Sequence, residues 1–227
     1  MPPSSRAEPG YLVASLEAVP NDADAPRLLS PVTARLPAPL SDLACSLPIG
    51  DANGELLEAL HGDIAFPERG FAGVLAIDPF RLADDLLEML SQRGCRRVAN
   101  WPSTALLGGT LGESLAHSGL GYDEEMAFLA RARQHGFHTM ATIAREEQLS
   151  PALAAGPSQL LMAVPPEAAE TQPDKARAGL LALMERVREA GYSPWLYEHD
   201  EVKALTASLH PWVEAVIRHP GMLERQG

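Results

Sequence analysis

The side chains in this chain that can do chemistry, and that stand at informative places, are Asp51, Asp78, Asn100, Glu125 and His199. Oxygen ligands such as Asp51 and Asp78 can hold a divalent cation. Each also has a structural use. Asp51 precedes a helical pattern and can cap it; Asp78 precedes Pro79, which suits a helix N-cap with proline at the first helical position. Asn100 ends an apolar run with no helix directly after it, which favours a role in orienting a substrate. Glu125 lies in the opening turn of a helix, where a carboxylate complements the helix dipole or moves a proton. His199 ends another apolar run, between Glu198 and Asp200. Successive strand residues face opposite ways, so His199 points into its layer without those two neighbours. There it can act as a general base or a metal ligand. The histidines of HGFH (135–138) span a helix end and a strand start and read as structural, on the opposite rim. No GxSxG elbow, HExxH or Walker A sequence is present.

Elements must position these groups. Apolar, turn-bounded runs predict strands at 72–77, 97–100, 138–144, 159–164, 194–198 and 213–217. Helices are expected at 52–60, 79–93, 122–135, 146–154, 174–190 and 202–209, several followed by a glycine suited to a helix C-terminus. Alternation of this kind is the grammar of parallel βα units, in which chemistry sits where the strands end. Ahead of it, residues 1–46 are proline-rich and irregular. Strands at 11–16 and 32–36 are expected there, with the intervening PNDADAPRLLSP too broken by proline for a helix of normal length. The expected fold is α/β: a single (β/α)8 barrel domain whose body is 47–227, incomplete or irregular on its N-terminal side. A dinucleotide-binding sheet fits less well, because GGTLG (108–112) has the wrong spacing and does not directly follow a strand. That segment reads as a surface loop or a phosphate cradle.

The 227 residues are 46% hydrophobic, enough for one full core, with net charge −12 and a pI near 5.0. An acidic surface argues against nucleic acid and anionic membranes as partners. No apolar run approaches the ~20 residues of a membrane helix, and MPPSSRAEPG lacks a signal peptide's apolar stretch. Cys45 and Cys95 show no paired spacing, so free thiols in a reducing cytoplasm are expected.

The stretch 47–147 carries a set of ordered motifs: LPIGDAN (47–53), IDPFR (77–81), NWPS (100–103), ALLGG, GLGYDEE (119–125) and REE (145–147). It resembles the phosphoenolpyruvate hydrolase-like TIM-barrel family, related to the phosphonopyruvate hydrolase and isocitrate lyase group. That family's pattern reads LPYGDAN, TDPFR, NFPT, GLIDG and GMGYxxE. The resemblance implies hydrolase or lyase chemistry on a small 2-oxo acid or enol-phosphate. Asp51 and Asp78 would hold a divalent metal such as Mg, Asn53 and Tyr122 would bind substrate, Asn100 would orient it, and Glu125 or His199 would move a proton. The later half is less alike, although YEH (197–199) resembles a family strand ending in Cys-His-Gly-Gly.

The departures are systematic. The family's first Gly-rich strand end is missing from 10–20, its acidic residue in GLIDG is Gly108, and a nearby arginine is Gly112. Val164-Pro165-Pro166 replaces His-Met-Gly, and Asp200 and Glu201 replace the Gly-Gly after His199. An anionic substrate wants N–H groups and guanidinium charge, and two carboxylates at the rim oppose it. Two functions therefore stand side by side: an enzyme acting on a small anionic metabolite, and a catalytically lapsed barrel serving as a partner or scaffold subunit. In either case a homo- or hetero-oligomer is expected, its partner covering a bare N-terminal side.

Overall fold

A computed structural model describes residues 7–18, 24–46, 50–61 and 65–222. Eight parallel strands close into a barrel in the order β1 to β8. They are β1 Glu8–Val13, β2 Arg27–Leu29, β3 Gly70–Val74, β4 Arg97–Asn100, β5 His138–Ile143, β6 Gln159–Met162, β7 Trp195–Glu198 and β8 Ala215–Arg218. The helices are α1 Pro31–Arg35, α2 Ala38–Asp42, α3 Ala52–Ala59, α4 Ala83–Gln92, α5 Gly109–His117, α6 Tyr122–Gln134, α7 Leu149–Ala155, α8 Pro166–Thr171, α9 Pro173–Glu189 and α10 Lys203–Thr206. The chain is thus an α/β barrel of (β/α)8 type. Among the described residues no helix is long and apolar enough to cross a membrane.

Alternation along the strands builds two apolar layers. Inward residues, among them Leu12, Leu28, Phe71, Ala99, Met140, Leu161, Trp195 and Ile217, fill the barrel. Outward ones, such as Val13, Leu29, Val74, Val98, Ile143, Met162, Leu196 and Val216, pack under the helices. Buried on both faces, the strands read as continuous apolar runs, which is why they were legible. The interior is held by ring geometry: Phe71 meets Trp195 edge-on at 5.4 Å, and Trp101 tilts onto Tyr197 at 4.6 Å. At the closing seam β1 pairs with β8 from Glu8↔Ala215 to Tyr11↔Arg218. Gly10 is favoured there, since a Cβ would lie 2.9 Å from the backbone carbonyl of Pro26 and 2.5 Å from Ile217 Cδ1.

The N-terminal third corrects the sequence reading. The second strand is not 32–36 but Arg27–Leu29, inside the segment set aside as too broken by proline. Residues Pro31–Arg35 are helical, with proline in the first turn, where its missing N–H costs nothing. The strand ring is therefore complete. What is reduced is the helical layer: between β1 and β2 the described residues hold one 3-10 turn, Leu16–Ala18, and no α-helix. Two further readings change. GGTLG is neither loop nor cradle alone, since Gly109–Gly112 form the first turn of α5. The helix expected from Pro79 starts at Ala83, so Asp78 does not cap it.

Candidate functional site

Three polar clusters occupy the rim where the strands end. The first is Asp51, Asn53, Asp78 and Arg81. Asp51 caps α3, accepting the Gly54 N–H at 2.8 Å. Asn53 is fully buried. It donates to Leu75 O at 3.0 Å and Asp78 Oδ2 at 2.9 Å, and accepts the Leu75 N–H at 3.0 Å. Asp78 accepts from Phe80 N at 2.9 Å. Arg81 reaches both carboxylates: its Nη1 donates to Asp51 Oδ1 at 2.5 Å and Asp78 Oδ2 at 3.2 Å, while its Nη2 donates to Asp51 Oδ2. Arg81 holds the Asp51 carboxyl below its ordinary range. As placed, this pair does not fit a divalent ion, because a guanidinium already stands between the oxygens. Among the described residues no three His, Cys, Asp or Glu side chains come together as a metal-binding group.

The second cluster is buried between β4 and α6. Glu125 is fully buried and accepts three hydrogen bonds. They come from Asn100 Nδ2 at 2.7 Å, Ser103 Oγ at 2.6 Å and Thr104 N at 2.7 Å, while Asn100 Nδ2 also reaches Ser103 Oγ at 3.0 Å.

 Asn100 Oδ1 accepts from Thr142 N at 2.7 Å, and Tyr122 OH donates to Thr142 O at 2.8 Å. Burial pushes the Glu125 carboxyl up to about 7 against the opposing pull of Ser103, Thr104 and Asn100. The polar atoms of Asn100 and Glu125 are spent on one another, so this cluster ties β4 to β5 and α6.

The third cluster lies inside the barrel mouth, and the sequence announced only one member of it. Tyr197 and His199 face inward, while Glu198 faces outward to Thr206 at 2.6 Å and His210 at 2.7 Å. Short helices α1 and α2 reach over the mouth. Thr33 Oγ1 accepts from Trp101 Nε1 at 3.1 Å, and Asp42 Oδ2 lies 3.1 Å from His199 Nε2. Asp42 is 1% and His199 3% exposed, so the pair is withdrawn from water. Burial raises the Asp42 carboxyl, and the bond to His199 counters it. Asp42 Oδ1, Ser41 Oγ, Tyr197 OH, His199 Nδ1 and His219 Nε2 are buried and have no hydrogen-bond partner within the protein. Buried polar atoms are rarely left so. His199 and His219 line a cavity of about 350 Å³ together with Arg35, Asp200 and Glu201.

The expected site residues therefore share the rim where the strands end but fall into three separate groups. Asp51, Asn53 and Asp78 form one; Asn100 and Glu125 form the next, linked to Tyr122 through Thr142; His199 stands in the mouth. Asp42, His219, Tyr197 and Ser41 were missed. His219 follows the end of β8 as His199 follows β7, so the same strand-end logic would have found it. Asp42 gave no local signal, since it lies on a five-residue helix in the segment read as irregular.

Where the sequence pattern lacks an acid, the structure supplies one from elsewhere. A Cβ on Gly108 would lie 2.0 Å from Glu167 Oε1 and 2.7 Å from Arg145 Nη2. Arg145 is fixed by Ala105 O at 2.6 Å and pairs with Glu167 at 3.0 Å. The carboxylate of α8 thus fills the space in front of Gly108.

A closed parallel barrel of eight strands with polar side chains gathered at its strand ends defines a TIM-barrel protein. Residues 35–193 match the family model described as phosphoenolpyruvate hydrolase-like, and the chain belongs to that family. An uncharacterized protein, y4oT, of Sinorhizobium fredii (strain NBRC 101917 / NGR234) is 37% identical over 153 residues, 67% of this chain and 78% of that protein. The ToMV resistance protein Tm-1(GCR237) of Solanum lycopersicum is 35% identical over 99 residues, 43% of this chain and 13% of that protein. The ToMV susceptible protein tm-1(GCR26) of the same plant matches to the same extent. The family match contains Asp42, Asn100 and Glu125 and ends before His199 and His219.

Proposed function

We propose that the chain carries out acid–base chemistry of the hydrolase or lyase type on a small carboxylate bound in the barrel mouth. Small 2-oxo acids and enol-phosphates are the class that the family resemblance implies. One observation carries the reading: the buried Asp42–His199 pair, with His199 lining the mouth cavity. With Asp42 ionised, His199 holds its proton on Nε2 and is left with Nδ1 as the base. Nδ1 takes a proton from the substrate or from an attacking water, and the imidazolium so formed is stabilised by Asp42. The same proton then passes to the leaving group, which restores the imidazole. A positioned general acid–base of this kind is worth ~10²–10⁴-fold in rate. The test is turnover of a panel of 2-oxo acids and enol-phosphates by the wild type, His199→Asn and Asp42→Asn. Loss of a hundredfold or more in both variants, with melting temperatures near wild type, is expected. Full turnover in His199→Asn would refute the role.

The second reading is a barrel that has lost catalysis and serves as a partner subunit. It is favoured by the first two clusters, in which Arg81 engages Asp51 and Asn100 engages Glu125. It expects no turnover from the wild type on any member of the panel and a stable complex with a co-purifying chain.

A further inference from the structure

The charge pattern of the mouth narrows what it can hold. The side chains that face the cavity with charge or hydrogen-bonding capacity are Arg35, His199, Asp200, Glu201 and His219. Arg35 is its one guanidinium, and that group already donates to Glu55 Oε2 at 2.9 Å. Glu201 places its carboxylate 3.7 Å from His199 Nδ1 while staying 63% exposed, and Asp200 adds a second acidic side chain. A phosphate dianion wants several donors and cations around it. Here it would meet one shared guanidinium and two carboxylates. A ligand with both signs of charge meets a complement to each. His199, 3% exposed, lines the same space, and its buried Nδ1 has no hydrogen-bond partner. At about 350 Å³ the cavity is at the small end for a ligand site.

We infer that the mouth binds a small zwitterion, a carboxylate that also bears an ammonium group. The carboxylate lies against Arg35, the ammonium against Glu201, and the carbon between them beside His199. This rests on the reading of the mouth as a site for a small carboxylate, and within that class it favours a ligand with an ammonium group over the 2-oxo acids and enol-phosphates that the resemblance implies.

The test is isothermal titration calorimetry of the full chain with three probes: L-serine, pyruvate and inorganic phosphate. L-serine should bind, and bind more tightly than either anion. Arg35→Ala and Glu201→Gln should each weaken L-serine by about tenfold or more, as expected for hydrogen bonds to charged groups. Both side chains are largely exposed, 64% and 63%, so a melting curve within a few degrees of wild type checks that the variants fold. Phosphate or pyruvate binding as tightly as L-serine would overturn the inference, as would the absence of binding by all three. Unchanged L-serine affinity in both variants would overturn it too. The acid–base reading is judged separately, by turnover in His199→Asn, so either can fail alone.

Discussion

Glu125 shows how a residue of catalytic type can be used for structure. Its carboxyl is fully buried and its proton affinity is raised to about 7, chiefly by loss of hydration. In the unfolded chain the same group titrates near 4.3. Between those values the folded protein holds a proton that the unfolded chain has released. Stability should therefore fall as pH rises through this window, and be fully present below it. The effect is on the order of 3 kcal/mol. Melting temperatures from pH 5 to pH 8 should show the fall in wild type and a flatter profile in Glu125→Gln, whose amide does not titrate. Equal slopes in both proteins would mean that other groups set the pH dependence. The sequence placed Glu125 in the opening turn of a helix, and that much is observed. It did not show that Asn100, Ser103 and Thr104 would enclose it, because those partners are joined by tertiary packing and not by spacing along one element.

At the scale of elements, the βα loop after β3 acts as a clasp. Arg81 crosses from that loop to Asp51, the N-cap of α3, and so fastens two successive units at the rim. Asp51 is half-exposed, so the ion pair is worth little by itself. The cap bond is worth more, about 1 kcal/mol. Asp51→Ala should lower the melting temperature by about 2–4 °C in a chain of this size. Arg81→Ala should lower it by less, because Gly54 N–H keeps its acceptor. A larger fall for Arg81→Ala would show that the clasp, and not the cap, holds the rim. The strands from β3 onward were legible because each carries an apolar run bounded by turn or polar residues, whereas the helix α8 was not foreseen. The first units were not. Arg27–Leu29 is a three-residue strand set among prolines, and Pro31–Arg35 has the apolar content of a strand while its proline starts a helix. α5 has no buried residue, so no apolar stripe announced it.

For the whole molecule, closure is the decisive fact. β1 pairs with both β2 and β8, so it is the stave that removes both open edges. A variant lacking the strand Glu8–Val13 should lose its cooperative thermal transition, where a merely incomplete barrel would only melt earlier. Near-ultraviolet circular dichroism, which reports the packed Trp101, Tyr197 and Trp195 in the interior, is the measurement. Closure pairs the strands on the N-terminal side, but among the described residues no α-helix stands between β1 and β2, so the expectation of a partner on that side now rests on the helical layer alone. Among the described residues the most exposed large apolar side chains are Phe80, 91%, and Leu82, 72%, while Leu40 on the N-terminal side is 44% exposed. Phe80→Ser should leave the melting temperature within a degree or so, as surface changes usually do. The mouth was legible only in outline. His199 was placed at a strand end, but Asp42 arrives from 157 residues away, a distance over which no local pattern carries information.

The exchange at Gly108 reaches beyond this chain. A Cβ at position 108 meets only the far ends of two flexible side chains, Glu167 Oε1 at 2.0 Å and Arg145 Nη2 at 2.7 Å. Glu167 is 56% exposed and can swing out, at the loss of its 3.0 Å bond to Arg145. In the language of heredity the two positions are epistatic: Gly108→Asp alone should cost a little stability, and less in a background of Glu167→Ala. A lineage passing from one arrangement to the other would trade one carboxylate's partner for the other's.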